Sequence, residues 1–263
     1  MRKDYTFLTY INRSSYIPGV IGLYKSLIKA QKNDFNFAVF ITDEEKGLEV
    51  KLKDLFCKHN DVTIIISEPL PEPKFQQKND YWKGCISTLK IFGLTQYKKI
   101  VYLDADMLVL SDLSDLFEKP HMSGVASSSI VHPEINNVVF GPLVIVPNKE
   151  EEKKLIEIYL TRKITLADQE VIRIRYKNWV DQEELHLPIV YGAYYPHLSK
   201  IIKITKIKKD SFKIIHFVGQ PKPWEYKIKN KLSILKWCLF CRTASVWLFK
   251  ILIKYISYCN SKI

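Results

Sequence analysis

The sequence lacks several features that mark other classes of protein. It has five cysteines in 263 residues, an odd number that fits a reducing compartment better than a framework of disulfide bonds. The N-terminal stretch MRKDYTFLTYIN contains no continuous apolar segment and no small-residue cleavage site, so no secretory signal is predicted. Internal repeats and low-complexity linkers are absent from the sequence. These absences together predict a cytoplasmic protein.

The net charge of +12 is spread unevenly along the chain. Residues 227–263 contain eight basic residues and no acidic residue, which leaves a net charge of +4 for residues 1–226. Such an asymmetry indicates a segment with a function of its own. We therefore predict a domain formed by residues 1–226 and a basic C-terminal tail formed by residues 227–263.

Apolar strand patterns alternate with helical patterns through the first part of the chain. Strands are predicted over 5–11, 35–42 and 61–67, with amphipathic helices between them. Later segments predict a helix over 82–97, strand structure over 138–147, a helix over 150–163 and a strand followed by a turn over 212–226. This alternation predicts a parallel sheet with helices on its faces. Ligands of such sheets bind beyond the carboxyl ends of the strands.

The stretch VYLDADMLVL places two carboxylates directly after a predicted buried strand. Side chains two residues apart in a strand point the same way, so Asp104 and Asp106 are expected to face one direction, with Ala105 facing away. Two buried carboxylates repel each other unless a cation lies between them. We interpret the pair as a site for Mg²⁺ or Mn²⁺ that also binds the phosphates of a nucleoside diphosphate. The alternative is a solvated surface turn.

The stretch HFVGQPKPW is the second informative motif. His216 follows an apolar strand, and an imidazole beside carboxylates suits Mn²⁺ better than Mg²⁺. Gly219 permits close approach of the backbone to a phosphate. Lys222 lies between two prolines that restrict its backbone, so it is placed to neutralise a diphosphate leaving group. The alternatives are an ordinary hydrogen-bonded histidine at a strand end and a lysine in a solvated turn.

YLDADMLVLSDLSDLF, taken with HFVGQPKPW, closely resembles glycosyltransferase family 8, the group of glycogenin and galactinol synthase. LTYINRSSYIPGVIGLYKSL, STLKIFGLTQYKKIV, ADQEVI and LPIVY resemble the same family in the same order, over residues 5 to about 226. The resemblance implies a GT-A fold, an α/β architecture with a Rossmann-like, mostly parallel sheet flanked by helices. It also implies transfer of a sugar from a UDP-sugar donor, with Mn²⁺ as cofactor and with retention at the anomeric carbon.

The resemblance further assigns roles to single positions. It makes Asp104, Asp106 and His216 the Mn²⁺ ligands. It places other residues against the donor: Thr9, Asn12 and Tyr16 at the uridine, Ala105 between the two aspartates, and Gly219 and Lys222 at the diphosphate. It assigns Lys90, Asp168 and Gln169 to the donor sugar or the reacting centre.

Two positions depart from the family pattern. This chain has Val139-Phe140-Gly141 where many members have Asn-Ser-Gly, and Gly192 where glycogenin-like sequences have Asn. Both changes lie where the resemblance places the donor and acceptor sugars. The reaction class is therefore predicted, whereas the sugar is not.

Residues 229–259 form an apolar segment interrupted by basic residues, so it does not provide the roughly 20 apolar residues of a membrane span. Lysines gather on one face at helical spacing, which predicts an amphipathic helix on an anionic membrane surface. Trp237, Trp247 and Tyr255 are expected at the headgroup level. The alternative is a helix packed on the domain. Cys238 and Cys241 have no second cysteine pair, so they are expected to be buried or lipid-facing thiols rather than zinc ligands.

The sequence thus predicts a retaining, Mn²⁺-dependent hexosyltransferase, peripheral at the inner face of the membrane. Its predicted partners are a UDP-hexose donor and a glycan or glycolipid acceptor of surface polysaccharide or lipooligosaccharide synthesis. A glycogenin-like or galactinol synthase-like enzyme with a soluble or protein acceptor is the alternative. A nucleic-acid-binding protein is a more distant one, suggested by the basic tail. We expect no nucleic-acid partner, because that charge lies on an apolar helix rather than on a recognisable binding module.

Overall fold

A five-stranded sheet is the centre of the computed structural model, which describes residues 4–73, 84–126, 130–131, 137–165, 167–225 and 245–263. The strands in chain order are β1 (Tyr5–Ile11), β2 (Phe37–Thr42), β3 (Val62–Ser67), β4 (Lys99–Tyr102), β5 (Met107–Val109), β6 (Leu143–Ile145), β7 (Ala193–Tyr194) and β8 (Ile214–His216). The central sheet has the order β3-β2-β1-β4-β6. Its first four strands are parallel and β6 is antiparallel to β4. The predicted α/β fold with a mostly parallel sheet is confirmed.

The apolar sequences of the strands follow from their burial. Every residue of β2 is buried, whereas β3 at the edge of the sheet is only partly buried. A strand covered on both faces gains from apolar side chains at every position rather than at alternate ones. Phe7 and Ile11 of β1 belong to the apolar cluster on one face of the sheet, and Leu8 and Tyr10 belong to the cluster on the other face.

Helices α1 (Ile17–Ala30) and α2 (Leu48–Leu55) pack on one face of the sheet, and α3 (Lys149–Thr161) and α4 (Ala167–Arg175) pack on the other. Helices α5 (Leu198–Thr205) and α6 (Val246–Cys259) belong to a separate apolar cluster. Helix α3 begins at Asn148, whose side chain accepts hydrogen bonds from the backbone N–H groups of Glu150 and Glu151, as expected of a good N-cap. The helix predicted over 82–97 is a 3₁₀ helix over Gly84–Gly93, and residues 82 and 83 lie outside the described part.

A second, three-stranded sheet of order β5-β8-β7 lies beyond the end of β4. Strand β5 pairs antiparallel with β8, which sets Met107 opposite His216, and β7 pairs parallel with β8, which sets Tyr194 opposite the same histidine. The sequence did not predict this sheet as such, because strands of two or three residues are too short to show a period. The strand structure predicted over 138–147 is reduced to β6.

The C-terminal helix α6 packs on the domain. Six of its residues are buried, and a Cβ at Gly22 of α1 would lie 2.5 Å from Sγ of Cys259, so glycine permits the close approach of α1 and α6. Tyr255 is fully buried, and its predicted position at the lipid headgroups is therefore wrong. The predicted positions of Trp237, Cys238 and Cys241 lie outside the described residues. None of the helices in the described ranges is long and apolar enough to cross a bilayer.

Candidate active site

A cavity of about 270 Å³ opens where β1, β4 and the second sheet end. It is lined by predicted site residues from the N-terminal strand, the aspartate motif, α4 and the His216 segment: Asn12, Tyr16, Asp104, Ala105, Asp106, Asp168, Gln169, His216, Gly219 and Lys222. Val139 and Phe140, from the run that departs from the family pattern, also line it. So do residues to which the sequence assigned no role: Tyr10, Ile11, Arg13, Cys85, Thr88, Tyr102, Tyr194 and Val218. Carboxylates and basic side chains both line this cavity.

The two aspartates converge through a turn rather than through strand alternation. Strand β4 ends at Tyr102, and the backbone N–H of Met107 donates to the carbonyl of Asp104 at 3.1 Å, which closes a turn over Asp104–Met107. The hydroxyl of Tyr102 donates to Oδ1 of Asp104 at 2.8 Å. The expectation that the strand continues through both carboxylates is thus wrong. The expectation that both face one site is met, because the chain reverses at this point.

Gly141 is required beside the first aspartate. Its φ is +93°, and a Cβ built on it would lie 2.5 Å from Oδ2 of Asp104. A side chain at this position would be strained by its backbone and would also displace the carboxylate. Position 141 is therefore a glycine because no other residue fits there without displacing Asp104. Phe140 packs edge-on against Tyr102 with 4.8 Å between ring centroids, so this wall of the cavity is apolar.

Asp104, Asp106 and His216 form a group suited to a divalent metal. Nε2 of His216 lies 2.9 Å from Oδ1 of Asp106 and 3.5 Å from Oδ2 of Asp104, and one ligand atom from each residue lies within 4.8 Å of the others. The pairing of β5 with β8 produces this contact, and the backbone N–H of Phe217 donates to the carbonyl of Asp106 at 2.9 Å. One imidazole and two carboxylates are a donor set that Mn²⁺ accepts. The residues present therefore fit a divalent metal.

Lys222 lies buried beside the same group. Its Nζ is 2.5 Å from Oδ2 of Asp106, and only 4% of the residue is exposed. Gly219, with φ of +91°, begins the turn that returns the chain to this point. The backbone N–H of Lys222 donates to Oε2 of Glu225 at 3.0 Å. The ammonium is thus held at the wall of the cavity by a constrained segment, as the flanking prolines predicted.

Burial and neighbouring charges shift the titration of these groups. Burial and the neighbouring Asp106 raise the pKa of Asp104, in spite of the charge on His216. Burial also acts to raise the pKa of Asp106, but His216 and Lys222 outweigh it and hold that pKa well below its usual range. Burial acts to lower the pKa of His216, but Asp106 and Asp104 outweigh it and raise the pKa. The cluster favours bound positive charge.

Asp168, which the resemblance assigns to the donor sugar or the reacting centre, lies in the first turn of α4. Its Oδ2 accepts a hydrogen bond from the hydroxyl of Thr88 at 2.7 Å, and its Oδ1 accepts one from the backbone N–H of Gln169 at 2.8 Å. Burial raises the pKa of Asp168 to about 6, and the two hydrogen bonds act in the opposite direction. The two hydrogen bonds therefore favour the ionised form of Asp168 and hold its carboxyl group in one orientation.

Two predicted site residues do not line the cavity. Nζ of Lys90 donates to the backbone carbonyl of Glu68 at 2.7 Å, away from the site. In a 3₁₀ helix of about three residues per turn, positions two apart differ by about 240°, so Thr88 and Lys90 face different ways. Thr9 is fully buried within β1, and its hydroxyl has no hydrogen-bond partner among the described residues. Thr88 was missed because a threonine in an apolar helix carries no signal of its own.

Asn12 and Tyr16, which the resemblance places at the uridine, both line the cavity. Nδ2 of Asn12 donates to Oε2 of Glu44 at 3.2 Å. The ring of Tyr16 packs edge-on against Trp224 with 5.6 Å between centroids, and Nζ of Lys222 lies 5.8 Å from the same ring centroid. A half-buried aromatic ring and an amide that line the same cavity are suited to a nucleobase and its ribose.

Comparisons with known proteins point to one family. The model of the family described as "Glycosyl transferase family 8" matches residues 7–228. Glycogenin-1 of Oryctolagus cuniculus is 26% identical over 240 residues, which cover 89% of this chain and 69% of that protein. Galactinol synthase 1 of Solanum lycopersicum is 27% identical over 271 residues, which cover 90% of this chain and 81% of that protein. Other glycogenins are longer, and the chain spans about half of their length.

The solved structures agree on the architecture. A galactosyltransferase in complex with donor and acceptor sugar analogues aligns with a TM-score of 0.63 at 13% identity, covering 97% of this chain and 96% of that one. At this level of identity the likeness shows the fold, and the fold is that of the GT-A glycosyltransferases.

Proposed function

The chain belongs to glycosyltransferase family 8, and from this premise we propose that it transfers a hexose from a UDP-sugar to a glycan or glycolipid acceptor, with Mn²⁺ as cofactor and with retention at the anomeric carbon. The observation that carries the proposal is the arrangement of charge around one cavity. Asp104, Asp106 and His216 lie beside the buried ammonium of Lys222, and the Asp168 carboxylate lines the same cavity. A diphosphate leaving group and a cationic sugar need these opposite charges at neighbouring positions.

The leaving group is held by the metal ligands and by Lys222. Asp104, Asp106 and His216 would hold a divalent ion, which would supply positive charge to the diphosphate oxygens. Lys222 adds a fixed positive charge as negative charge grows on those oxygens during bond cleavage. A Cβ built on Gly219 would have no atom within 4 Å, so there is open space at this turn for the phosphates. The sugar-oxygen bond is thereby weakened on the side of the nucleotide.

Asp168 acts on the sugar. As the nucleoside diphosphate departs, positive charge develops at the anomeric carbon, and the carboxylate stabilises it as carboxylates do in glycoside cleavage. The hydrogen bonds from Thr88 and from the N–H of Gln169 fix its orientation before the donor binds. A preoriented charge costs little reorganisation during the reaction. Asn12 and Tyr16 hold the uridine at the other end of the cavity.

The acceptor has two candidates. A glycolipid acceptor requires the enzyme to bind a membrane. The outer face of α6 supports this candidate, because Val246 is 71% exposed and Phe249 is 46% exposed. Lys250 and Lys254 are exposed on the same helix. Each lysine near an anionic surface contributes on the order of 1 kcal/mol. The likeness to glycogenin-1 and galactinol synthase 1 favours a soluble or protein acceptor instead. On the first reading the enzyme is cytoplasmic and peripheral at the inner face of the membrane.

The experiment that tests the proposal measures UDP release from a panel of UDP-hexoses in Mn²⁺, without an acceptor. We expect slow hydrolysis of one donor that is lost in a chelator and in the Asp106→Asn variant. Lys213→Met, which changes a lysine outside the cavity, should leave the rate unchanged. UDP release that persists at the wild-type rate in the chelator would contradict the metal-dependent mechanism. Adding a glycolipid acceptor or a soluble oligosaccharide to the active pair then distinguishes the two acceptors.

A further inference from the structure

Phe217, the residue after His216, is stacked between two tyrosines. The ring of Tyr255 on α6 lies 4.3 Å from it at an angle of 8°, and the ring of Tyr195 lies 4.7 Å from it at 20°. All three side chains are fully buried. The backbone of Phe217 in turn donates to the carbonyl of Asp106. The C-terminal helix therefore contacts the segment that carries the histidine of the candidate metal group.

The two tyrosine hydroxyls reach different carbonyls. That of Tyr255 donates to the carbonyl of Ala105 at 3.2 Å, whereas that of Tyr195 donates to the carbonyl of Leu248 at 2.8 Å. Ala105 lies between Asp104 and Asp106, so its carbonyl belongs to the turn that orients both carboxylates. Tyr255 thus contacts the aspartate turn through its hydroxyl and the histidine segment through its ring.

The surroundings of the Ala105 carbonyl are closely packed. A Cβ at Gly19 of α1 would lie 2.7 Å from this oxygen and 2.8 Å from the ring of Trp224. A buried carbonyl that loses its donor has little room to turn toward another one, and an unpaired buried carbonyl is costly. The turn is therefore held between α1 on one side and Tyr255 on another.

We infer that Tyr255 is a positioning residue for the metal group, and that α6 is consequently part of the catalytic unit rather than an appended tail. The inference rests on the proposed function, since it concerns the metal that Asp104, Asp106 and His216 bind. Groups that orient metal ligands from behind commonly change metal affinity by about 10- to 100-fold when they are removed. Tyr255 acts through the backbone of Ala105, so an effect at the lower end of this range is expected.

The test compares Tyr255→Phe with Tyr195→Phe in the full chain. Each variant loses one buried hydroxyl bonded to a backbone carbonyl and keeps the ring that stacks on Phe217, so each should lower the melting temperature by a similar amount. Mn²⁺ affinity, measured by the paramagnetic resonance signal of free Mn²⁺ during titration, should fall about tenfold in Tyr255→Phe and stay within about twofold of wild type in Tyr195→Phe. Only a positioning role separates the two variants in this way.

A second variant approaches the same point from α1. Gly22→Ala places a methyl group 2.5 Å from Sγ of Cys259 and 3.1 Å from the ring of Tyr255, so it moves α6 without changing a group in the cavity. Mn²⁺ affinity should fall in Gly22→Ala and recover in part when Cys259→Ala removes the closer contact. Equal Mn²⁺ affinity in wild type, Tyr255→Phe and Gly22→Ala would overturn the inference while leaving the proposed function intact. A wild-type chain that binds no Mn²⁺ would overturn the metal-dependent function itself, and the inference with it.

Discussion

Lys222→Met is expected to destabilise the metal-free protein more than the Mn²⁺-bound protein. In the structure, the ammonium of Lys222 lies 2.5 Å from Oδ2 of Asp106, and both side chains are less than 10% exposed. Removing one partner of a buried ion pair costs about 3–5 kcal/mol. We expect about 3 kcal/mol here, because Nε2 of His216 stays 2.9 Å from the other oxygen of Asp106.

The size of the effect is measurable by thermal unfolding. A domain of this length changes its melting temperature by about 2–4 °C per kcal/mol, so Lys222→Met should melt about 6–12 °C below wild type in a chelator. In Mn²⁺ the difference should at least halve, since the metal replaces the lost positive charge beside Asp106. Mn²⁺ should also bind the variant more tightly than wild type when no nucleotide is present, because the ammonium no longer competes for Oδ2.

Lys213→Met provides the control. Its Nζ lies 3.0 Å from Oδ2 of Asp115, but the two side chains are 29% and 44% exposed, so this pair contributes at most about 1 kcal/mol. If Lys222→Met lowers the melting temperature in a chelator no more than Lys213→Met does, then the buried ion pair of Lys222 and Asp106 does not stabilise the metal-free protein as expected. If Mn²⁺ leaves the difference unchanged, then Asp106 is not a ligand of the metal.

Three further perturbations follow from the structure. Donor hydrolysis in saturating Mn²⁺ should fall as the pH drops through about 6, because the pKa of Asp168 is raised to about 6 and the reaction uses its carboxylate form; a rate that is flat from about pH 5 to about 8 would contradict that role. Lys250→Glu combined with Lys254→Glu should reduce sedimentation with anionic liposomes and leave donor hydrolysis unchanged, whereas equal sedimentation would argue against this face of α6 as a membrane surface. Gly141→Ala and Gly47→Ala both replace a glycine with positive φ, and each should lower the free energy of unfolding by about 1–3 kcal/mol. Calorimetry should show weaker Mn²⁺ binding for Gly141→Ala alone, because a Cβ at Gly141 meets Asp104 whereas a Cβ at Gly47 meets nothing within 4 Å.

The sequence showed Asp104, Asp106 and His216 after apolar segments, and the resemblance to the family joined the three as one metal group. The structure brings them together. Asp106 and His216 are 110 positions apart in the chain, yet each stands at the end of a run that has to be buried. Asp104 and Asp106 nevertheless share a direction for a different reason than the one predicted. Strand alternation does not extend past Tyr102, and a turn produces the common direction of the two carboxylates. Composition alone does not tell a strand end from a turn two residues later.

The surroundings of the Lys90 and Tyr255 side chains could not be predicted from the sequence pattern. The side chain of Lys90 was placed in the site by resemblance, but the 3₁₀ geometry of Gly84–Gly93 turns Thr88 inward in its place. An amphipathic helix was predicted over 229–259, and its described part, α6, buries its apolar residues. Whether such a face covers lipid or protein depends on the surface it meets, and here Gly22 and Phe217 provide a protein surface. That surface is formed by residues far away in sequence.

The most direct measurement of the central claim is the affinity of the full chain for UDP, determined by calorimetry with Mn²⁺ and with a chelator. The claim is that the cavity beside Asp104, Asp106 and His216 binds a nucleoside diphosphate through a divalent metal. Wild type should bind UDP in Mn²⁺ and lose most of that affinity in the chelator, and Asp104→Asn should bind weakly in both while remaining folded by circular dichroism. Equal UDP affinity with and without the metal, or unchanged binding by Asp104→Asn, would contradict the claim.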